Sequence, residues 1–101
     1  MKYGLTESEL KILSEVLIEP LHSHLVEVWI FGSRAREDHK KFSDLDILYS
    51  VPKNSELPRG FIFTIKDNME NSNFPYKMDL VDIDQLAKSY FDGVMKDRVK
   101  L

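Results

Sequence analysis

The sequence predicts an α/β domain, on three observations. Three apolar runs of strand length, Leu25–Phe31, Asp44–Val51 and Tyr76–Ile83, alternate with helical patterns. The first two are joined by a Gly-Ser turn and a short basic segment, giving strand, tight turn, short helix, strand. Ahead of them, Thr6-Glu7-Ser8-Glu9 forms a capping box that opens a helix with Leu10, Leu13, Val16 and Leu17 at helical spacing. The expected architecture is a sheet of about three strands with helices packed against it.

Taken in order, Pro20 is expected to end the first helix, and His22-Ser23-His24 to form a solvated turn. No cysteine or further histidine completes a zinc set around that pair. Val28-Trp29-Ile30-Phe31 is too continuous for a half-exposed strand and reads as buried on both faces. A short helix is predicted from Ser33 to about Asp38, with Ser33 as its N-cap, and His39 to Phe42 as a loop with His39 at the surface. In the second strand, Leu45 and Ile47 face the core while Asp44 and Asp46 face the other way. Pro52 to Ser55 is a turn. Pro58 suits the start of a helix reaching about Met69, and a polar loop leads to the third strand. Asp84 is a natural N-cap for a last helix with Leu86, Tyr90, Phe91 and Val94 on its apolar face. Gly93 weakens that helix, and the tail beyond Lys96 is expected to fray.

Composition narrows the functional classes. A chain of 101 residues, 43% hydrophobic, is expected to form a single domain over residues 1–101 with a modest core. The net charge of −3 argues against a polymerase-like grip on nucleic acid. The absence of cysteine excludes disulfides and thiolate metal sites. No apolar run reaches the roughly 20 residues of a membrane span, and the N-terminus lacks a signal-peptide apolar region, so a cytoplasmic location without membrane contact is expected.

The chemistry concentrates in Gly32–Leu48. Gly32 permits an unusual backbone conformation and close approach of another group. With Ser33 it opens a helix whose N–H groups and dipole suit a phosphate. Asp44 and Asp46, at i and i+2, share a strand face roughly 6–7 Å apart along the chain. Like charges so placed repel, and a hard divalent ion such as Mg²⁺, which favours oxygen ligands plus substrate phosphates, relieves the repulsion. Arg34 and Arg36 flank the phosphate turn, where a guanidinium can clamp a phosphate bidentately; one of the two is expected to be merely solvated. Lys40 and Lys41 read as solvated. Together these parts are the equipment for moving a nucleotidyl group.

Gly32-Ser33-Arg34-Ala35-Arg36 followed by Ser43-Asp44-Leu45-Asp46-Ile47-Leu48 resembles the signature of the DNA polymerase β-like nucleotidyltransferases. It is most similar to their minimal nucleotidyltransferase branch, which includes antitoxins paired with HEPN toxins. The resemblance implies a small mixed sheet with flanking helices, two Mg²⁺ ions, and ATP as substrate with its β- and γ-phosphates at Gly32 and Ser33. It implies a third acid on the neighbouring strand that supports a metal and helps deprotonate the attacking hydroxyl. Asp79 matches that pattern, while Asp82, three positions on, falls on the opposite strand face. By analogy the chain transfers AMP to a tyrosine hydroxyl of a HEPN-type ribonuclease toxin, in a homo- or hetero-oligomer. Neutralisation by binding alone, and transfer to a small molecule such as an aminoglycoside, are the alternatives. The branch often reads Gly-Ser-Arg-Ala-Arg-Gly; here Glu37 stands in the last position and is expected to continue the short helix. No extra domain for base and acceptor is expected, so an acceptor protein supplies much of its own surface.

Overall fold

In the computed structural model, which describes residues 2–101, four strands form one sheet in the order β3-β2-β1-β4. They are β1 (Glu27–Phe31), β2 (Leu45–Ser50), β3 (Met78–Asp82) and β4 (Val99–Lys100). β1 runs antiparallel to β2 and to β4, whereas β2 and β3 are parallel. A parallel pair needs a crossover, and the helix α4 (Phe61–Glu70) supplies it. Alternation divides the sheet into two faces. Val28, Ile30, Leu45, Ile47 and Leu80 point into the main core, where they meet Leu13, Leu17, Leu21, Ile65 and Met69 from the helices. Trp29, Phe31, Asp46, Leu48 and Asp79 fall on the other face.

The N-terminal helical stretch is longer than the sequence suggested. Thr6 and Glu9 make the expected capping box, and α1 (Glu7–Leu13) follows. A π-helical turn, Ser14–Ile18, then leads into α2 (Glu19–Ser23), which contains Pro20. Pro20 therefore does not end the helix. Within the wider turn the Glu19 N–H bonds back five residues to the Ser14 carbonyl, so the ladder is already out of α register where proline enters. His22 and Ser23 consequently belong to the helix. Reversal comes at His24 and at Leu25, which is left-handed (φ 61°) and lies outside β1.

Further on, α4 starts after Gly60 rather than at Pro58. Asp82, not Asp84, is the capping acid: it accepts the Asp84 N–H (2.9 Å) and closes a 3₁₀ turn, Ile83–Gln85. The last helix, α5 (Lys88–Asp97), follows Ala87 and runs through Gly93 with no fully buried residue, so its expected apolar face is largely in solvent. Tyr90 is 67% and Phe91 41% exposed. The tail does not fray. Val99 and Lys100 add β4, the fourth strand, and the Leu101 N–H bonds the Val28 carbonyl (2.9 Å).

That tail explains how β1 is buried on both faces. The Arg98 guanidinium lies 4.5 Å and the Lys100 ammonium 4.9 Å from the Trp29 ring centroid, and Lys100 also pairs with Glu27. Two cations over one indole attract it through the ring quadrupole while their stems shield it. Trp29 is the chain's single tryptophan. Removal of Val99–Leu101 is expected to cost about 1–3 kcal/mol and to red-shift the tryptophan emission, both read in one urea titration.

Candidate active site

The site begins where β1 hands over to α3 (Gly32–Arg36). Gly32 has φ 76°, the left-handed region that favours glycine, and a Cβ built on it would overlap the Asp46 Oδ2. One residue thus meets two demands: a reversed backbone at the strand end and room for a carboxylate against the turn. Ser33 is the second residue of α3 rather than its N-cap; Phe31 holds the cap position and no side chain caps the helix. The first N–H groups of α3 have no partners within the helix, the condition under which a helix start receives an anion.

Asp46 lies on β2 directly opposite Phe31 of β1 and Asp79 of β3. Asp44 precedes the strand and is exposed, with Asp46 half-buried and Asp79 exposed. The Asp46 carboxyl is pushed above its ordinary range, first by burial, then by the charges of Asp79 and Asp44; Arg36 offsets this in part. The parallel register thus sets Asp79 beside Asp46, while Asp82 sits on the core face beside Tyr49 and spends its carboxylate on the 3₁₀ cap.

Oxygen-only donors with excess negative charge suit a hard divalent cation. Among the described residues, no three acidic or histidine side chains form a closed ligand set as they lie. Mg²⁺ usually takes one or two carboxylates and completes its shell with water and substrate phosphates. Asp44 and Asp46, with Asp79 alongside, are the residues that fit it.

The two arginines divide. They are two apart in a helix, about 200° around its axis, so they point opposite ways. Arg34 is 2% exposed. Its Nε and Nη2 donate to the Ser43 carbonyl (3.0 and 2.9 Å), its Nη1 donates to the Tyr3 carbonyl (2.8 Å), and its guanidinium stacks 4.1 Å from the Tyr76 ring centroid. This corrects the expectation that Arg34 binds nucleotide: its donors are committed to the segment that delivers Asp44. Arg36 faces out, donating to Asp38 (3.0 Å) and to Asp97 of α5 (3.1 Å). Asp97 was not singled out from sequence, since nothing local marks a carboxylate 61 residues away as a partner.

Two neighbours also depart from expectation. Glu37 does not continue α3 but ends it in the left-handed conformation (φ 62°), the geometry a glycine at that position takes without strain. His39 is not a free surface residue. It is half-buried against Gly4, and its buried Nδ1 has no hydrogen-bond partner.

Three outcomes follow for variants. Arg34→Ala is expected to cost about 2–4 kcal/mol by leaving two carbonyls and a ring without their partner, and Arg34→Lys to recover little, because an ammonium lacks the fork. Arg36→Ala, which breaks only exposed pairs, is expected to leave the melting temperature nearly unchanged. Asp46→Asn is expected to raise the melting temperature of the metal-free protein by a few degrees. Because the folded-state pKa of Asp46 lies above the unfolded one, its cost is absent below the ordinary carboxylate range and grows as pH rises through the folded value. The gain from Asp46→Asn is therefore expected near neutrality and should vanish in acid, as melts in EDTA across pH will show.

Comparison with known proteins places this geometry. The polymerase beta nucleotidyltransferase family matches residues 15–101. A Haemophilus influenzae protein, named Probable protein adenylyltransferase MntA, is 32% identical over 90 residues, spanning 87% of this chain and 74% of that protein. Among solved structures, a chain assigned as a minimal nucleotidyltransferase superposes with a TM-score of 0.69 at 23% identity, over 97% of this chain and 98% of that one. A toxin–antitoxin structure with AMP-PNP superposes at 0.63 and 18% identity, over 86% of this chain and 70% of that one. On the family match and the curated relative together, this chain belongs to the polymerase beta nucleotidyltransferase family and is a nucleotidyltransferase.

Proposed function

We propose that the chain is an antitoxin that transfers AMP from ATP, with Mg²⁺, to a tyrosine hydroxyl of a partner HEPN-type ribonuclease toxin. The observation that carries the chemistry is the parallel register that sets Asp79 beside Asp46, with Gly32 closing against the same carboxylate. The protein acceptor is supported by the curated relative, named as a protein adenylyltransferase, and by the shared fold of a toxin–antitoxin structure holding AMP-PNP.

In this reading Gly32 and Ser33 hold the β- and γ-phosphates by backbone N–H groups and the Ser33 hydroxyl. Asp44 and Asp46 hold Mg²⁺ together with phosphate oxygens, and Asp79 supports the same site. When bound, Mg²⁺ supplies positive charge against the reacting phosphates. Asp79 accepts the proton of the attacking hydroxyl. The hydroxyl oxygen bonds to the α-phosphorus as the bond to the bridging oxygen breaks, and that electron pair leaves with pyrophosphate. The reaction is largely a matter of placing the groups in line. Arg36, on the outer side of α3, is the cation free to turn toward a phosphate if its exposed pairs with Asp38 and Asp97 open.

The test is the intact mass of the genetically neighbouring toxin after incubation with this chain, ATP and Mg²⁺. One or more AMP additions are expected, absent with Asp44→Asn/Asp46→Asn and reduced at least about a hundredfold with Asp79→Asn. A stable complex with no added mass would establish an antitoxin that acts by binding. Neither complex nor mass would overturn the protein acceptor and leave small-molecule hydroxyls.

A further inference from the structure

The turn that leads to Asp44 carries a side chain the fold does not use. Phe42 stands 72% exposed and takes no part in the core. Its backbone is left-handed (φ 68°), a conformation that an aromatic residue adopts only at a cost in strain. Its neighbours hold it there. The Ser43 N–H donates to the Lys40 carbonyl (3.1 Å) and the Lys40 N–H to the Ser43 hydroxyl (2.9 Å), closing a four-residue turn with Lys41 and Phe42 at its tip. The Ser43 carbonyl is in turn fixed by two hydrogen bonds from the buried Arg34. Lys40 and Lys41 are both exposed, and the Lys41 ammonium lies 5.2 Å from the Phe42 ring centroid. Glycine at this position would remove both the strain and the exposed ring, so a rigid apolar knob flanked by cations serves contact rather than stability.

The location gives that contact a use. Asp44 follows two residues later, and the Leu45 N–H donates to the Lys77 carbonyl (2.8 Å), so the exit of the turn runs beside the start of β3. β3 carries Asp79 and ends the sheet; among the described residues no strand pairs with its far edge. That edge is the approach to the acids from the side away from β1 and Gly32. We infer that the Lys40-Lys41-Phe42 turn docks the acceptor protein, with Phe42 entering an apolar pocket on the partner that is rimmed by acidic side chains. The inference rests on the reading of the acceptor as a protein. Lys40 and Lys41 make a local positive patch on a chain of net charge −3, the complement of an acidic rim. A nucleic-acid strand fits less well, because its phosphates would meet the exposed Asp44 and Asp79. An aromatic anchor seated in a pocket is the arrangement in which one side chain dominates an interface.

The test is calorimetric titration of the full chain and its variants with the genetically neighbouring toxin and, separately, with ATP and Mg²⁺. Phe42→Gly and Phe42→Asn, both tolerant of the left-handed backbone, are expected to weaken toxin binding about tenfold or more, to leave ATP binding unchanged and to keep or raise the melting temperature. Lys40→Glu/Lys41→Glu is expected to weaken the toxin at low salt and to do so less at high salt. Toxin affinity unchanged in both Phe42 variants would overturn the inference while leaving the protein acceptor intact. Equal weakening of toxin and ATP would also overturn it, since the turn would then act by shaping Asp44. A fluorescent single-stranded oligouridylate that bound the wild type and was lost with Phe42→Gly, the toxin being unaffected, would reassign the turn to nucleic acid. Wild-type protein that bound no toxin would overturn the protein acceptor and this inference together, whereas Phe42-dependent toxin binding with no AMP added would uphold the docking turn and remove the transfer.

Discussion

Holding a half-buried carboxylate, Asp46, near two like charges is the constraint around which this small domain is arranged. Asp46 is flanked by Asp79 across a strand pair and by Asp44 two residues back, and burial adds to its cost. Left to itself such a cluster would splay. It is held because the strands bearing it are fixed from the opposite side: Leu45, Ile47 and Leu80 are anchored in the core by the same alternation that turns the acids outward. Core packing on one face of the sheet thus sustains unfavourable electrostatics on the other, the pattern expected where stability is given up at a functional site.

The turn segments around the site repeat this theme in the backbone. Tyr3, Glu37 and Phe42 all take left-handed conformations without being glycine. Two of them adjoin or supply the carbonyls that Arg34 holds: Tyr3 itself, and Ser43 just after Phe42. A buried guanidinium with three hydrogen bonds and a stacked ring over-determines both segments, which is how such strain persists. Arg34 acts as an internal clasp between the N-terminal turn, the start of α3 and the approach to Asp44. Glu37 gives the turn the left-handed geometry that a glycine would take without strain.

The helix α5 and the tail carry the rest of the site's surroundings. The tail returns to the sheet as β4 and covers Trp29 with cations, while α5 meets α3 through Asp97 and Arg36. The strand that continues into Gly32 is therefore shielded by residues about seventy positions later in the chain. This long-range closure makes the Gly32 turn a wall of a cleft rather than an isolated loop.

The sequence by itself determined the elements whose physics is local. The capping box at Thr6 and Glu9, the alternation that separates Ile47 from Asp46, the glycine needed at position 32 and the ordered carboxylates were all legible, because each depends on residues a few positions apart. What it misjudged depended on partners far along the chain or on competing local solutions. Pro20 was absorbed by a π turn, Asp82 displaced Asp84 as a cap, and an apparently loose tail became a strand because Val28 and Trp29 needed cover. Arg34 and Arg36 are chemically identical in the sequence; only the fold, by turning one inward to two carbonyls and the other outward to Asp97, decided which is structural. Likewise only the parallel register, a product of the α4 crossover, set Asp79 rather than Asp82 beside Asp46.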